Sequence, residues 1–273
     1  MTNNSMPTTA AAWSGMVAVE DTALAVTDTG GAGQAIIYMN GAYANQKPWK
    51  PLIAELGAGY RHITYDKRAR GKSKTSTDYS FEACLRDVDA VLAARGVQRA
   101  ILVGWSYGAT LAAHWAERNP DRTVGMVAVD GAMPYGLIGD EGREHIRKLF
   151  HKMCWLFPIC RPLGLAAKMS VGEHTDVAIE INQICAEMAP TLNRIIRPVR
   201  YVLASGSNLG GSEEEMAAAR ASLDPVLATN PHLSIHAQVP SNHSNILRKD
   251  FRAIADAVGE TAAVQDLAGS SSR

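Results

Sequence analysis

The chain has 273 residues, of which 47% are apolar and 20% are charged. This length suffices for one large α/β domain with a full hydrophobic core, and both fractions are ordinary for a globular protein. The 27 Lys and Arg residues balance the 27 Asp and Glu residues, so net charge gives no support for a nucleic acid or a membrane surface as a partner.

The beginning of the chain reads MTNNSMPTTAAAW and has neither the basic nor the apolar region of a signal peptide. No uninterrupted apolar run approaches the roughly 18 residues that a membrane span requires. The four cysteines lack C-x-x-C spacing and are few for a disulfide scaffold. We therefore expect a cytoplasmic protein with reduced thiols, in which residues 1–12 and 268–273 are disordered tails.

Two apolar runs at residues 16–19 and 24–27 predict an antiparallel hairpin. From residue 35 onward, short β-branched runs alternate with helical patterns, and the predicted strands cover residues 35–39, 62–65, 100–103, 124–129, 199–203 and 233–237. Apolar strands separated by helices indicate an α/β fold, with a mostly parallel twisted sheet and helices on both of its faces.

The clearest helical patterns cover residues 80–95, 107–119, 212–227 and 248–258. Residues 133–198 break the alternation, because they carry no clear strand and several short helical patterns interrupted by Pro and Gly. We interpret this segment as a helical lid inserted between two strands. Residues 13–132 and 199–267 would then form the core domain.

The loop after the strand at residues 62–65 is basic. It carries Lys67, Arg68, Arg70, Lys72 and Lys74. We expect these side chains to lie in solvent, and recognition of an acidic substrate group is the alternative. The loop also contains GKS, the end of a phosphate-binding P-loop, but Asp66 occupies the position of the first glycine, so that interpretation fails.

The sequence GWSYG at residues 104–108 lies between a predicted strand and a predicted helix. Glycines permit a turn so tight that the central residue is held in a strained conformation, with its side chain exposed at the carboxyl end of the strand. The N-terminus of the following helix favours negative charge at this point. The pattern predicts that Ser106 is a nucleophile.

This strand, turn and helix resemble the nucleophile elbow of the α/β-hydrolase superfamily, and the resemblance covers nearly the whole chain apart from the tails. The sequence YDKRARGKS resembles that superfamily's D-x-R-G-x-G-x-S loop, with Ala69 in place of the first glycine. The sequence MNGA stands where the family usually has His-Gly-x, with Asn40 in place of the His. The resemblance implies an α/β-hydrolase fold with a helical lid, and an oxyanion hole formed by the backbone N–H groups of Ala42 and Tyr107.

The resemblance also implies the base and the acid. His243 lies in the loop after the last predicted strand, where the superfamily keeps its catalytic His. The usual acid position falls on Asn208, which cannot supply a negative charge. Some members, haloalkane dehalogenases among them, take the acid from the end of the preceding core strand, which here is Asp130. Acids at residues 213–215 and at Asp224 are the alternatives.

These residues predict a serine hydrolase that cleaves a carboxylic ester, thioester or lactone through an acyl-enzyme, with no metal and no organic cofactor. The substrate is expected to be a largely apolar small molecule bound by Trp105 and by Met153, Trp155 and Phe157 of the lid. A lyase or carbon–carbon hydrolase that uses the same residues and a non-catalytic ligand binder are the alternatives. The oligomeric state stays open, with a homodimer as one candidate.

Overall fold

The computed structural model describes residues 10–160, 166–206 and 213–270. Eight strands form one sheet in the order β1-β2-β4-β3-β5-β6-β7-β8. They are β1 (Trp13–Val19), β2 (Thr22–Asp28), β3 (Gln34–Met39), β4 (Tyr60–Tyr65), β5 (Ala100–Trp105), β6 (Thr123–Val129), β7 (Val199–Ala204) and β8 (Leu233–Val239). β2 is antiparallel to β1 and to β4, and the strand pairs from β4 to β8 are parallel. The predicted hairpin and the mostly parallel sheet are confirmed.

Helices cover both faces of this sheet. They are α1 (Lys50–Leu56), α2 (Phe81–Ala94), α3 (Tyr107–Arg118), α4 (Gly139–Met153), α5 (Phe157–Cys160), α6 (Val171–Ala186), α7 (Ala189–Arg194), α8 (Glu213–Ala221), α9 (Asp224–Thr229), α10 (Ile246–Lys249) and α11 (Phe251–Ser270). α1 and α11 pack on one face, and α2 and α3 pack on the other.

The alternation of side chains along a strand explains the two layers. In β3, Ile36 belongs to the core beneath α1 and α11, whereas Ile37 belongs to the core beneath α2 and α3. All seven residues of β6 are buried, as expected for a central strand covered on both sides. The carboxyl ends of β5, β6 and β7 therefore meet at one well-packed edge.

Two helix predictions are wrong in their extent. The helix predicted over residues 212–227 is divided into α8 and α9, because Pro225 lacks the N–H that a continuous helix would use there. α11 runs to Ser270 instead of ending at Val258, and so enters the predicted C-terminal tail. Gly259 does not stop it, since the residues that follow contain no proline and include strong helix formers such as alanine.

In the described part of residues 133–198, the helices α4 to α7 lie between β6 and β7. The side chains of Ile146, Phe150, Phe157 and Ala166 form a small apolar cluster, against which Tyr43 of the loop after β3 also packs. The function of this segment as a lid, and the division of the chain at its ends, stay predictions. None of the described helices combines the length and the apolar character needed to cross a membrane.

Candidate active site

Ser106 occupies the sharp turn between β5 and α3. Its φ of 56° and ψ of −124° lie in a region that L-residues rarely adopt, and its backbone N–H donates to the carbonyl of Val129 at 3.0 Å. A side chain at Gly104 would collide with the backbone at Gly108, and one at Gly108 would collide with the carbonyl of Met39. The two glycines of the motif thus permit the close approach that holds Ser106 in this conformation.

Asp130 follows β6 directly and meets His243. Its Oδ2 lies 2.7 Å from His243 Nδ1, and its Oδ1 accepts the backbone N–H of Ala204 at 3.0 Å. The carboxylate has no exposed surface, whereas the His243 side chain is 27% exposed. The structure therefore brings together the histidine and the acid that were predicted from the sequence.

This contact selects one tautomer of the neutral imidazole. An ionised carboxylate only accepts hydrogen bonds, so the proton of a neutral His243 lies on Nδ1. Nε2 is then the nitrogen that can take a proton from a nucleophile. The alternative acids Glu214 and Asp224 are exposed on α8 and α9, and Asn208 lies outside the described residues.

Trp105 holds the loop that carries His243. Its indole Nε1 donates to the carbonyl oxygen of His243 at 3.2 Å, and the two ring centres are 5.4 Å apart. The six-membered ring of the indole lies against Gly41, where a Cβ would be 3.0 Å from the ring. Trp105 therefore has a structural role in the site, and its contact with substrate stays a prediction.

The loop after β3 lies against the N-terminus of α3. Asn40 is buried, donates to the carbonyl of Tyr65 at 2.7 Å and accepts from the indole of Trp49 at 2.5 Å. A Cβ at Gly108 would collide with the carbonyl oxygen of Asn40. The loop with Ala42 thus adjoins the turn of Ser106, and helix geometry gives the N–H of Tyr107, at the first position of α3, no i−4 acceptor inside the helix.

The expectation of a solvated basic loop is wrong for three of its five cations. Lys67, Arg68 and Arg70 are buried, and Lys72 and Lys74 are exposed. The buried three have internal acceptors. Arg68 donates to both carboxylate oxygens of Asp87 on α2, at 2.6 and 3.0 Å, whereas Lys67 and Arg70 donate to backbone carbonyls.

Burial of Lys67 away from water lowers the pKa of its ammonium group well below the ordinary value, and the nearby charge of Arg70 acts in the same direction. The sequence offered little signal for this burial, because the acceptors are main-chain oxygens. For Arg68, an acid on the buried face of α2 could have indicated the ion pair.

The apolar residues predicted to line the substrate site lie in different environments. Phe157 is buried, with its ring centre 4.5 Å from that of His174, so it packs inside the helical segment. Met153 and Trp155 are 38% and 65% exposed, and their contact with substrate stays a prediction. The ring of Tyr107, which follows Ser106 in the chain, is buried beside Phe81.

Metal ligands were not expected. Over residues 10–160, 166–206 and 213–270, no group of three or more His, Cys, Asp or Glu side chains is placed to hold a metal ion.

Comparison with known proteins agrees with this architecture. The family profile described as alpha/beta hydrolase fold matches residues 34–154. The chain is 26% identical over 150 residues to a haloalkane dehalogenase of Mesorhizobium japonicum, a match covering 54% of this chain and 48% of that protein. It is 32% identical over 117 residues to epoxide hydrolase B of Mycobacterium tuberculosis, covering 40% of this chain and 32% of that protein.

The chain thus aligns with about half or less of the length of these curated relatives. A thermophilic esterase from Thermogutta terrifontis superimposes with a TM-score of 0.67 at 19% identity, covering 92% of this chain and 97% of that chain. A likeness at this level of identity concerns the fold. The strand order, the family profile and this superposition agree on one architecture.

Proposed function

The chain has the α/β-hydrolase fold, and from this premise we propose that it is a serine hydrolase that cleaves a carboxylic ester, thioester or lactone. The observation that carries the proposal is the 2.7 Å contact between His243 Nδ1 and the buried carboxylate of Asp130, at the same sheet edge as the strained turn of Ser106. A serine, a histidine and an acid are the components of a triad for acyl transfer.

In the proposed mechanism, His243 Nε2 takes the proton from Ser106 Oγ while the oxygen attacks the carbonyl carbon of the substrate. The negative charge that develops on the carbonyl oxygen is stabilised by the backbone N–H groups of Ala42 and Tyr107. The intermediate collapses, and His243 donates its proton to the departing alcohol or thiol. Water then attacks the acyl-enzyme with His243 as base, which releases the acid and restores Ser106.

Because the proposed nucleophile is a serine, carbonyl substrates are favoured over the haloalkanes and epoxides for which the two curated relatives are named. A serine oxygen that displaced a halide or opened an epoxide would be left as an ether on Ser106. Water does not cleave an ether by the route that cleaves an acyl-serine, so the enzyme would turn over once. A serine in the turn supports ester, thioester or lactone hydrolysis rather than haloalkane or epoxide hydrolysis.

The proposed substrate is a largely apolar small molecule. The segment between β6 and β7 carries exposed apolar side chains, and among its described residues Trp155, Ile138 and Ile196 are the most exposed, at 65%, 59% and 59%. Contiguous exposed apolar patches mark surfaces that contact a ligand or partner, whereas single exposed apolar side chains are ordinary. We propose that part of this segment closes over the acyl chain, with Met153 and Trp155 as its contacts.

The test is turnover of p-nitrophenyl esters with acyl chains from two to twelve carbons. Wild-type protein should hydrolyse at least some of them, and Ser106→Ala should lose the activity by about 10³-fold or more, as triad serines do. Ser14→Ala, at an exposed position of β1, is the matched control and should retain it. Equal activity of Ser106→Ala and wild type would refute the proposal. Tight ligand binding without turnover would instead favour a binding protein.

A further inference from the structure

A fully buried lysine lies behind the loop that carries Ala42. Lys67 has no exposed surface, and its Nζ donates to the carbonyl oxygens of Asn40 and of Gly41, each at 2.7 Å. The same Nζ lies 4.5 Å from the centre of the Tyr107 ring. Since Ala42 and Tyr107 are the two proposed oxyanion donors, one ammonium group contacts the elements that carry both.

A second buried cation fixes the next carbonyl. Arg70 is 2% exposed, and its Nε donates to the carbonyl oxygen of Ala42 at 2.8 Å. Three consecutive carbonyl oxygens, those of residues 40, 41 and 42, are therefore held by two cations from the loop after β4. No strand pairing supports these residues, because β3 ends at Met39.

The geometry of the peptide bond means that holding the Gly41 carbonyl also fixes the direction of the Ala42 N–H. The carbonyl of Gly41 and the N–H of Ala42 belong to one planar trans peptide, so they point in opposite directions. When Lys67 holds the carbonyl oxygen, the N–H must point away from Lys67. Trp105, which precedes Ser106, packs on Gly41. Gly108, which follows Ser106, packs on the loop after β3. Residues before and after Ser106 in the chain therefore contact the anchored segment.

Packing alone does not explain a lysine at this position. Burial of an ammonium group is unfavourable, and the pKa of Lys67 is lowered well below its ordinary value by that burial. A methionine would fill a similar space without this cost. The three N–H donors of lysine match its surroundings here, which are two carbonyl oxygens and the face of an aromatic ring.

We propose that Lys67 is a positioning residue of the oxyanion hole, which orients the N–H of Ala42 by holding the carbonyl oxygens of Asn40 and Gly41. The inference rests on the proposed function of Ser106. Lys67 does not touch the substrate in this role and acts through the loop. Its loss should therefore weaken the binding of a tetrahedral oxyanion more than the binding of a neutral, planar or unreactive ligand.

The experiment compares wild type, Lys67→Met, Lys74→Met and Ser106→Ala with three reagents. A fluorophosphonate probe measures the rate of attack by Ser106. A trifluoromethyl ketone forms a tetrahedral adduct with a charged oxygen, and the matching secondary alcohol binds without reacting. Lys74 lies on the same loop but is exposed, so Lys74→Met controls for loss of a positive charge.

We expect Lys67→Met to react with the probe about 10- to 100-fold more slowly than wild type, which is less than the loss of a whole oxyanion donor. The affinity for the trifluoromethyl ketone should fall by a similar factor, and the affinity for the alcohol should stay within about threefold. Lys74→Met should behave as wild type. If Lys67→Met does not fold, Lys67→Gln, which retains a side-chain N–H donor but no positive charge, should show the same divergence between the two ligands.

Two results would overturn the inference and leave the proposed function intact. One is a folded Lys67→Met that reacts with the probe at the wild-type rate while Ser106→Ala does not react. The other is an equal loss of affinity for ketone and alcohol, which would indicate a distorted pocket. Probe labelling that survives in Ser106→Ala, or a wild type that is not labelled, would contradict the proposed function itself.

Discussion

Replacement of Asp130 by asparagine tests the acid with the smallest change of shape. In wild type, one carboxylate oxygen accepts from Ala204 N–H at 3.0 Å and the other lies 2.7 Å from His243 Nδ1. An asparagine has one oxygen and one NH₂ group. If its oxygen keeps the bond to Ala204, its NH₂ group faces Nδ1 and makes that nitrogen an acceptor, so the imidazole proton moves to Nε2.

An imidazole protonated on Nε2 cannot take the proton of Ser106, and no negative charge remains to stabilise the imidazolium ion. In other triads, this substitution lowers kcat by about 10⁴-fold, which corresponds to about 5.5 kcal/mol of transition-state stabilisation. We therefore expect Asp130→Asn to hydrolyse esters about 10⁴-fold more slowly than wild type. The measurement is kcat on the best p-nitrophenyl ester, with the unfolding midpoint in urea as a check that the variant is folded.

Asp121→Asn is the matched control. Asp121 lies just before β6, whereas Asp130 lies just after it, and the side chain of Asp121 is fully exposed. It should therefore change kcat little. A folded Asp130→Asn with kcat within tenfold of wild type would refute the assignment of the acid. A large loss in Glu214→Gln would then point to α8.

Other predictions concern stability. Gly131→Ala places a Cβ against the backbone of the Ser106 turn and should lower the free energy of unfolding in urea by about 1–3 kcal/mol; unchanged stability would show that the turn can shift freely. Arg68→Met leaves the buried carboxylate of Asp87 without its partner and should cost about 3–5 kcal/mol, whereas Arg118→Met, in an exposed ion pair, should cost less than about 1 kcal/mol. Equal losses would contradict this reasoning. Burial lowers the pKa of His114 to about 4 from 6.5, so the unfolded chain binds the proton first and stability falls as pH drops through this interval. His114→Leu should reduce that slope in urea titrations at successive pH values, and a slope equal to wild type would contradict the shift.

The elements that depend on local pattern were predicted well from the sequence. The strands could be located because buried parallel strands are continuous apolar runs. The turn of Ser106 could be located because such a tight turn leaves room only for glycine at the flanking positions. Asp130 was predicted from its place at the end of β6 together with the resemblance to members of the superfamily that take their acid from this strand end, and the structure brings it to His243. Helix ends were predicted less well. Gly259 does not end α11, whereas Pro225 divides the helix predicted over residues 212–227 into α8 and α9.

The burial of the cations after β4 could not be predicted from the local sequence. Charge in a loop favours exposure, but the acceptors of Lys67 and Arg70 are carbonyl oxygens of residues 40–42, more than twenty residues away in sequence. A pattern of side chains contains no information on main-chain acceptors of this kind. The packing of Phe157 inside the helical segment is a similar case, since an apolar aromatic residue fits a pocket and a core equally well.

The central claim is that Ser106 is a nucleophile activated by His243. Intact mass spectrometry after reaction with a fluorophosphonate probe, followed by peptide mapping, tests it most directly. The account predicts one adduct on wild type, located at Ser106, with no adduct on Ser106→Ala and strongly slowed labelling of His243→Ala. An adduct on another residue, or undiminished labelling of either variant, would contradict it.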